Sequence, residues 1–246
     1  MRKESIRFYV YGIIALVIFL LVVNKGDTTI QPSKIANTNI EKSLNDENVK
    51  NKFLFVGILT MIHKFHRRSL IRDCYLRNIP SGISVKFIFG KPKNELEQNL
   101  LDMEASLYND IVVLDIEENL DDGKTWHFMK YASDLQQDYK FLLKTDDDVF
   151  LHLHNLNKRL VTLVQDELKG DVQGVYMGRH VTGTIFMAGM GYILSFDLVH
   201  FIANDPYASS HTIGQEDGLV ASWLKQGDQI KHFISEDAEV TFSLLM

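Results

Sequence analysis

Residues Phe141 to Phe150 read Phe-Leu-Leu-Lys-Thr-Asp-Asp-Asp-Val-Phe: an apolar run, a lysine and a threonine, then three consecutive aspartates. A short unbroken apolar run of this kind suits a strand buried on both faces. The carboxylates of Asp146, Asp147 and Asp148 repel one another at the strand end and raise the cost of folding unless a cation neutralises them. Standing between Phe-Leu-Leu and Val-Phe-Leu, they have little solvent around them. A hard divalent ion with oxygen ligands, Mn2+ or Mg2+, is therefore expected there, and such an ion can also hold a diphosphate. A solvated acidic turn is the competing reading.

Three similar apolar runs precede it: Phe53–Leu59, Val85–Phe89 and Ile111–Leu114. Helical stretches are expected between them, over about 66–77, 94–107 and 124–137. Continuous hydrophobic strands separated by helices predict an α/β domain with a mixed, mostly parallel sheet flanked by helices. Ligands in such sheets sit beyond the carboxyl ends of the strands, where the strand order switches. The acidic triplet stands at one of those ends.

Outside this module, residues 8–23 (Phe8 to Val23) are wholly apolar, with Arg2, Lys3 and Arg7 before them and Lys25 after. A helix of that length covers about 24 Å, enough for a thin bilayer with charged ends snorkelling. The excess of positive charge before the run predicts a cytosolic tail at 1–7 and an N-terminal transmembrane signal-anchor at 8–23. No small-x-small cleavage site follows the run. Residues 24–52 are rich in Asn, Lys, Ser and Thr, lack aromatics and read as a stem. The rest, 53–246, is the expected catalytic domain. The 246 residues carry 26 Lys and Arg against 32 Asp and Glu, a formal charge of −6, which disfavours a nucleic-acid partner. The single cysteine, Cys74, rules out an internal disulfide framework.

The stretch 141–156 resembles the Asp-x-Asp strand end of the β-1,3-galactosyltransferase and Fringe-like glycosyltransferase family. Other segments agree with that family in the same order. Arg67-Arg68 with Arg72, Cys74 and Tyr75 is similar to its Arg-Arg-x-x-x-Arg-x-Thr-Trp, although Cys-Tyr replaces Thr-Trp. Phe87 to Gly90 is similar to Phe-Leu-Leu-Gly, and Glu118-Asn119 with Gly123-Lys124-Thr125 to Glu-Asn-x-x-x-Gly-Lys-Thr. Gly189-Met190-Gly191-Tyr192 is similar to Gly-x-Gly-Tyr, and Glu216-Asp217-Gly218 to Glu-Asp-Val. The family's Pro-x-Tyr before Gly-x-Gly is Ile185-Phe186-Met187 here. Its metal-binding histidine beyond Glu-Asp has no clear counterpart, His232 being too near, so a C-terminally shortened catalytic domain is expected.

The resemblance implies a GT-A nucleotide-sugar-binding fold anchored as a single-pass type II protein in the Golgi membrane, catalytic domain luminal. It implies transfer of galactose or N-acetylglucosamine from a UDP-sugar donor to a hydroxyl of a glycan or glycoprotein acceptor, with inversion to a β-1,3 linkage. Asp148 and Asp146 are the implied metal ligands, and Asp217 the implied catalytic base. Asp146, Asp147, Arg68, Arg72, Lys124, Gly189, Gly191 and Glu216 are the implied donor-binding residues.

The residues themselves leave alternatives open. Arg68 and Arg72, at i, i+4, share a helix face able to meet a phosphate, or form a solvated basic face. Lys124 is a point charge for a diphosphate or a surface lysine. Gly189 and Gly191 permit close approach of backbone to a sugar or mark a bulge. Asp217 reads as an ordinary helix N-cap without the resemblance. Two other functions compete: a UDP-sugar- or glycan-binding protein of the same fold without turnover, and a metal hydrolase using His152 and His154 with the aspartates.

Overall fold

The computed structural model of the chain describes residues 52–119, 122–135, 139–236 and 242–244. The expected tail, anchor and all of the stem but Lys52 lie outside the described residues. Among the described residues no helix is long and apolar enough to cross a membrane.

Each apolar run forms a strand, and a helix follows each of the first three. The order is β1 (Leu54–Leu59), α1 (Phe65–Cys74), β2 (Ile83–Lys91), α2 (Glu95–Leu107), β3 (Ile111–Glu117), α3 (Lys124–Ser133) and β4 (Phe141–Asp146). β1 pairs in parallel with β2 and with β4, and β2 with β3. Helices α1 and α3 end three and four residues before the sequence limits. β4 extends past its apolar run to include Lys144, Thr145 and Asp146, while Asp147 and Asp148 form the turn into β5 (Val149–Leu151).

The second half is less regular. It comprises α4 (Leu153–Thr162), continued by a π-helical turn at Leu163–Glu167, then β6 (Val175–His180) and β7 (Met187–Ser195). After these come α5 (Phe196–Asn204), α6 (Pro206–Ser210), α7 (Glu216–Gln226), β8 (His232–Ser235) and β9 (Phe242–Leu244). β7 joins the free side of β4 antiparallel, giving a seven-stranded sheet in the order β3-β2-β1-β4-β7-β6-β8. β5 and β9 pair separately. The sheet is thus mixed: parallel from β3 to β4, antiparallel around β7.

Alternation along the strands splits the core between the two faces of the sheet. Leu54, Val56 and Ile58 of β1 point to one side with Phe141 and Leu143 of β4, against Ile71 of α1 and Leu156 and Leu160 of α4. Phe55 and Leu142 point to the other, against Phe128 of α3, Ile202 of α5 and Val220, Trp223 and Leu224 of α7. The chain steps from β1 to β2 and β3 on one side and returns to β4 on the other. The strand order therefore reverses at β1, and a crevice opens between the carboxyl ends of β1 and β4.

Gly57 sets how closely α3 approaches β1. A Cβ built there would lie 2.1 Å from Cζ of the fully buried Phe128. Overpacking of this kind costs about 1–3 kcal/mol. Gly57→Ala is expected to lower the unfolding free energy by that amount, read as a lower denaturant midpoint with an unchanged slope. An unchanged midpoint would show that the ring moves aside freely.

Candidate active site

The crevice is a cleft of about 490 Å3. One wall is the end of β1 and the turn after it, with Thr60, His63 and Arg67; the floor is Asp146 to Asp148; the opposite wall is Gly189 of β7 with Glu216 and Asp217 of α7. Residues more than 150 positions apart meet because β4 is paired with β1 on one side and β7 on the other.

The protein supplies its own cations to two of the three aspartates. Asp147 is buried; its Oδ2 accepts from the Thr60 hydroxyl at 2.7 Å and its Oδ1 from Arg67 Nη1 at 2.6 Å. Asp146 Oδ1 lies 2.9 Å from Lys144 Nζ, whose side chain is fully buried. Asp148 remains about half exposed, with only a 3.7 Å approach from Arg67. Lys144 and Arg67 thus offset part of the mutual repulsion expected from the sequence. Burial and the neighbouring Glu216 carboxylate hold the Asp146 pKa above the ordinary aspartate value despite Lys144.

Across the cleft, Glu216 and Asp217 open α7. Glu216 Oε2 is 2.5 Å from Lys144 Nζ, and Oε1 accepts from the Tyr192 hydroxyl at 2.9 Å. The N-cap residue of α7, Gln215, makes no side-chain cap bond, and the Asp217 carboxylate packs directly against the Gly189 backbone. A Cβ at Gly189 would fall 2.6 Å from Asp217 Oδ1, so only glycine leaves room for this carboxylate. Burial pushes the Asp217 pKa up, and Lys144 offsets part of the rise.

A cleft at the switch point of a mostly parallel sheet, floored by acids and faced by a partly desolvated carboxylate, has counterparts among known proteins. Residues 66–184 match the family described as Galactosyltransferase. Two Arabidopsis thaliana proteins named probable β-1,3-galactosyltransferases are similar along much of the sequence. Number 13 is 33% identical over 155 residues, covering 58% of this chain and 43% of that protein. Number 12 is 29% identical over 204 residues, covering 69% and 53%. Over residues 66–184, a little under half of the chain, the sequence is similar to the galactosyltransferase family. It spans about half the length of the curated relatives it matches. The fold is shared more widely: a mannosyltransferase from Pyrobaculum calidifontis, solved with GDP-Man and Mn2+, superposes with a TM-score of 0.52 at 10% identity, covering 86% of this chain and 59% of that one.

Some of the residues singled out from sequence reach the cleft and others do not. Asp146, Asp147, Asp148, Lys124, Gly189, Glu216 and Asp217 all line it. Arg68 and Arg72 do not. Arg68 is buried and forms a two-pronged pair with Glu104 of α2, at 2.9 and 2.6 Å, while donating to the Met61 and Ile62 carbonyls at 2.6 and 3.0 Å. Arg72 is clamped on Asp110 at 2.8 and 2.9 Å and lies 2.8 Å from Glu104. Both guanidinium groups hold α1 against α2 and β3, which corrects the phosphate-binding expectation. The arginine that faces the cleft is Arg67, one position out of phase with them.

Lys124 is at the wall, yet its ammonium is committed to Glu118 Oε1 at 2.6 Å and the Thr60 carbonyl at 2.7 Å. Burial lowers its pKa against the pull of Glu118. It fastens the end of β1 to the loop before α3 rather than standing open for a diphosphate. Gly191 is buried within β7 opposite Thr145 and does not line the cleft. His152 and His154 line a separate depression beside Cys74, so they do not join the aspartates as a hydrolase centre would require.

Among the described residues no group of three His, Cys, Asp or Glu side chains is arranged to hold a metal ion. The oxygens present still fit a hard cation in part. Asp148 is open to the cleft, and Asp146 keeps its second oxygen off Lys144, whereas both Asp147 oxygens are taken. Two carboxylates leave further positions of such an ion to phosphate and water. Lys144 was not singled out from sequence. A single lysine among strand and turn residues carries no signal of burial, and its two acid partners are separated by 70 positions.

Proposed function

We propose that the chain is an inverting hexosyltransferase that moves galactose or N-acetylglucosamine from a UDP-sugar to a hydroxyl of a glycan or glycoprotein acceptor, forming a β-1,3 linkage. The observation that carries this reading is the position of Asp217, a partly desolvated carboxylate across one cleft from Asp146 and Asp148. The similarity to the galactosyltransferase family and to relatives named β-1,3-galactosyltransferase supports the donor class and the linkage.

In this mechanism the donor diphosphate lies toward Asp146 and Asp148, and the acceptor hydroxyl toward Asp217. Asp217 takes the hydroxyl proton as the acceptor oxygen bonds to the anomeric carbon. The bond from that carbon to the diphosphate breaks on the opposite face, which inverts the centre and releases UDP. Arg67 stands beside Asp148 at the donor side, where its exposed guanidinium is able to meet phosphate. Asp148 and Asp146 would hold Mn2+ (or Mg2+), which supplies charge stabilisation for the departing diphosphate. Residues 8–23 supply the signal-anchor of this reading, placing the domain in the Golgi lumen as a single-pass type II protein.

The test is UDP release by the chain with UDP-galactose and UDP-N-acetylglucosamine, with and without glycan acceptors, in Mn2+ and in chelator. Release that requires both acceptor and metal, and is lost in Asp148→Ala, is expected. Release that ignores the acceptor and survives Asp148→Ala would overturn the reading.

Acid should also disable it in a particular way. The base form of Asp217 is needed, and burial raises the pH at which its proton leaves. The acid limb of kcat/KM is therefore expected above the range of an exposed aspartate. A profile flat down to about pH 4 would mean that Asp217 does not serve as the base.

A further inference from the structure

A lysine ammonium with no exposure to water must find partners for all of its protons or destabilise the fold. Lys144 finds three, on three different elements. They are Asp146 Oδ1 in its own strand at 2.9 Å, Glu216 Oε2 at the start of α7 at 2.5 Å, and the Gly189 carbonyl of β7 at a longer 3.4 Å. Two of these three adjoin Asp217. Glu216 precedes it in the helix, and the Asp217 carboxylate packs so closely on Gly189 that a Cβ there would fall 2.6 Å from its Oδ1. Tyr192, also fully buried, fixes the second oxygen of Glu216. The Asp217 side chain is thus held from its own backbone and from the strand residue it packs on, and both supports rest on one ammonium.

We propose that Lys144 is a positioning residue: from beneath the cleft floor it locks Glu216 and Gly189, and through them sets the distance between Asp217 and the donor-side carboxylates. It touches neither donor nor acceptor. The geometry also explains why a lysine stands in a buried strand. An apolar residue would leave Asp146 and Glu216 facing each other with no counter-charge. A shorter cation would not span from β4 to α7.

The proposal rests on the transfer reading for its kinetic consequence, but not for its structural one. Lys144→Met is expected to lower kcat about 10²-fold, as displacement of a reacting group by about 1 Å does, with donor KM little changed. In an Asp217→Asn background the same substitution is expected to cost less than about twofold, because residues that act as one unit are not additive. Equal losses in both backgrounds, or a rise in donor KM alone, would overturn the proposal.

The structural half is read by amide hydrogen exchange on the chain, whatever its turnover. Lys144→Met is expected to speed exchange at Gly189 and Leu219, the latter bonded to the Gln215 carbonyl in the first turn of α7, and to spare β1 and β2. If the single variant does not fold, Lys144→Met with Glu216→Gln removes one unbalanced carboxylate and is read in the same way. Unchanged exchange at Gly189 and Leu219 would overturn the positioning role. If the unaltered chain transfers no sugar while exchange responds as expected, the transfer reading fails and the positioning role stands.

Discussion

Asp217→Asn is expected to lower acceptor-dependent transfer by about 10² to 10⁴-fold, the usual contribution of a positioned base, while UDP affinity stays within a fewfold of the unaltered chain. The amide is close in size to the carboxylate and packs on Gly189 in the same space, so the wall of the cleft is preserved. What it loses is the capacity to accept a proton. The substitution also removes a partly buried negative charge close to Asp146, so stability should hold or improve slightly. Steady-state kinetics with saturating donor check the first part, and titration of UDP the second. A variant that turns over at the original rate would exclude Asp217 as the base and leave Glu216, already tied to Lys144 and Tyr192, as a poor substitute.

Arg68→Met acts on a different quantity. It strands Glu104, a carboxylate 5% exposed, and removes the donor that ties down the carbonyls of Met61 and Ile62. Breaking a buried pair from one side costs about 3–5 kcal/mol. For a domain of this size that is on the order of 10 °C or more in melting temperature. Arg72 still lies 2.8 Å from Glu104 and tempers the loss. Adding Glu104→Gln should recover part of it, since no buried charge is then left unpaired. Protein that remains folded should keep its donor KM, because neither residue lines the cleft. A large rise in donor KM with unchanged melting would restore the phosphate-binding role that the structure denies to Arg68.

The parallel half of the sheet was legible because its central strands β1 and β4 are buried on both faces and its edge strand β3 opens on an apolar run, although Val113 there is exposed. Phe53–Leu59 and Ile111–Leu114 announce themselves as unbroken apolar runs. The antiparallel half was not. β6 and β7 carry Gly178, Arg179, Gly189 and Gly191 within their spans, residues that weaken a strand signal, and their pairing shifts register between Gly178 and His180. The site divides in the same way. Asp146, Asp148, Glu216 and Asp217 stand in motifs, and the cleft gathers them. The roles of Arg68 and Lys144 depend on Glu104 and Glu216, whose distance along the sequence hides the pairing, and that of Lys124 on Glu118 across the loop before α3. Periodicity shows which face of α1 an arginine occupies, not which carboxylate waits there. Arg68 and Lys124, which sequence offers as surface groups or phosphate ligands, are each buried against an acid.

The most direct measurement is calorimetric titration of the chain with UDP in the presence of Mn2+, repeated with Asp148→Ala. Saturable heat at submillimolar UDP, abolished by chelator and by Asp148→Ala, is the predicted outcome. No heat at millimolar UDP from a folded chain would contradict the assignment of this cleft to a nucleotide-sugar donor.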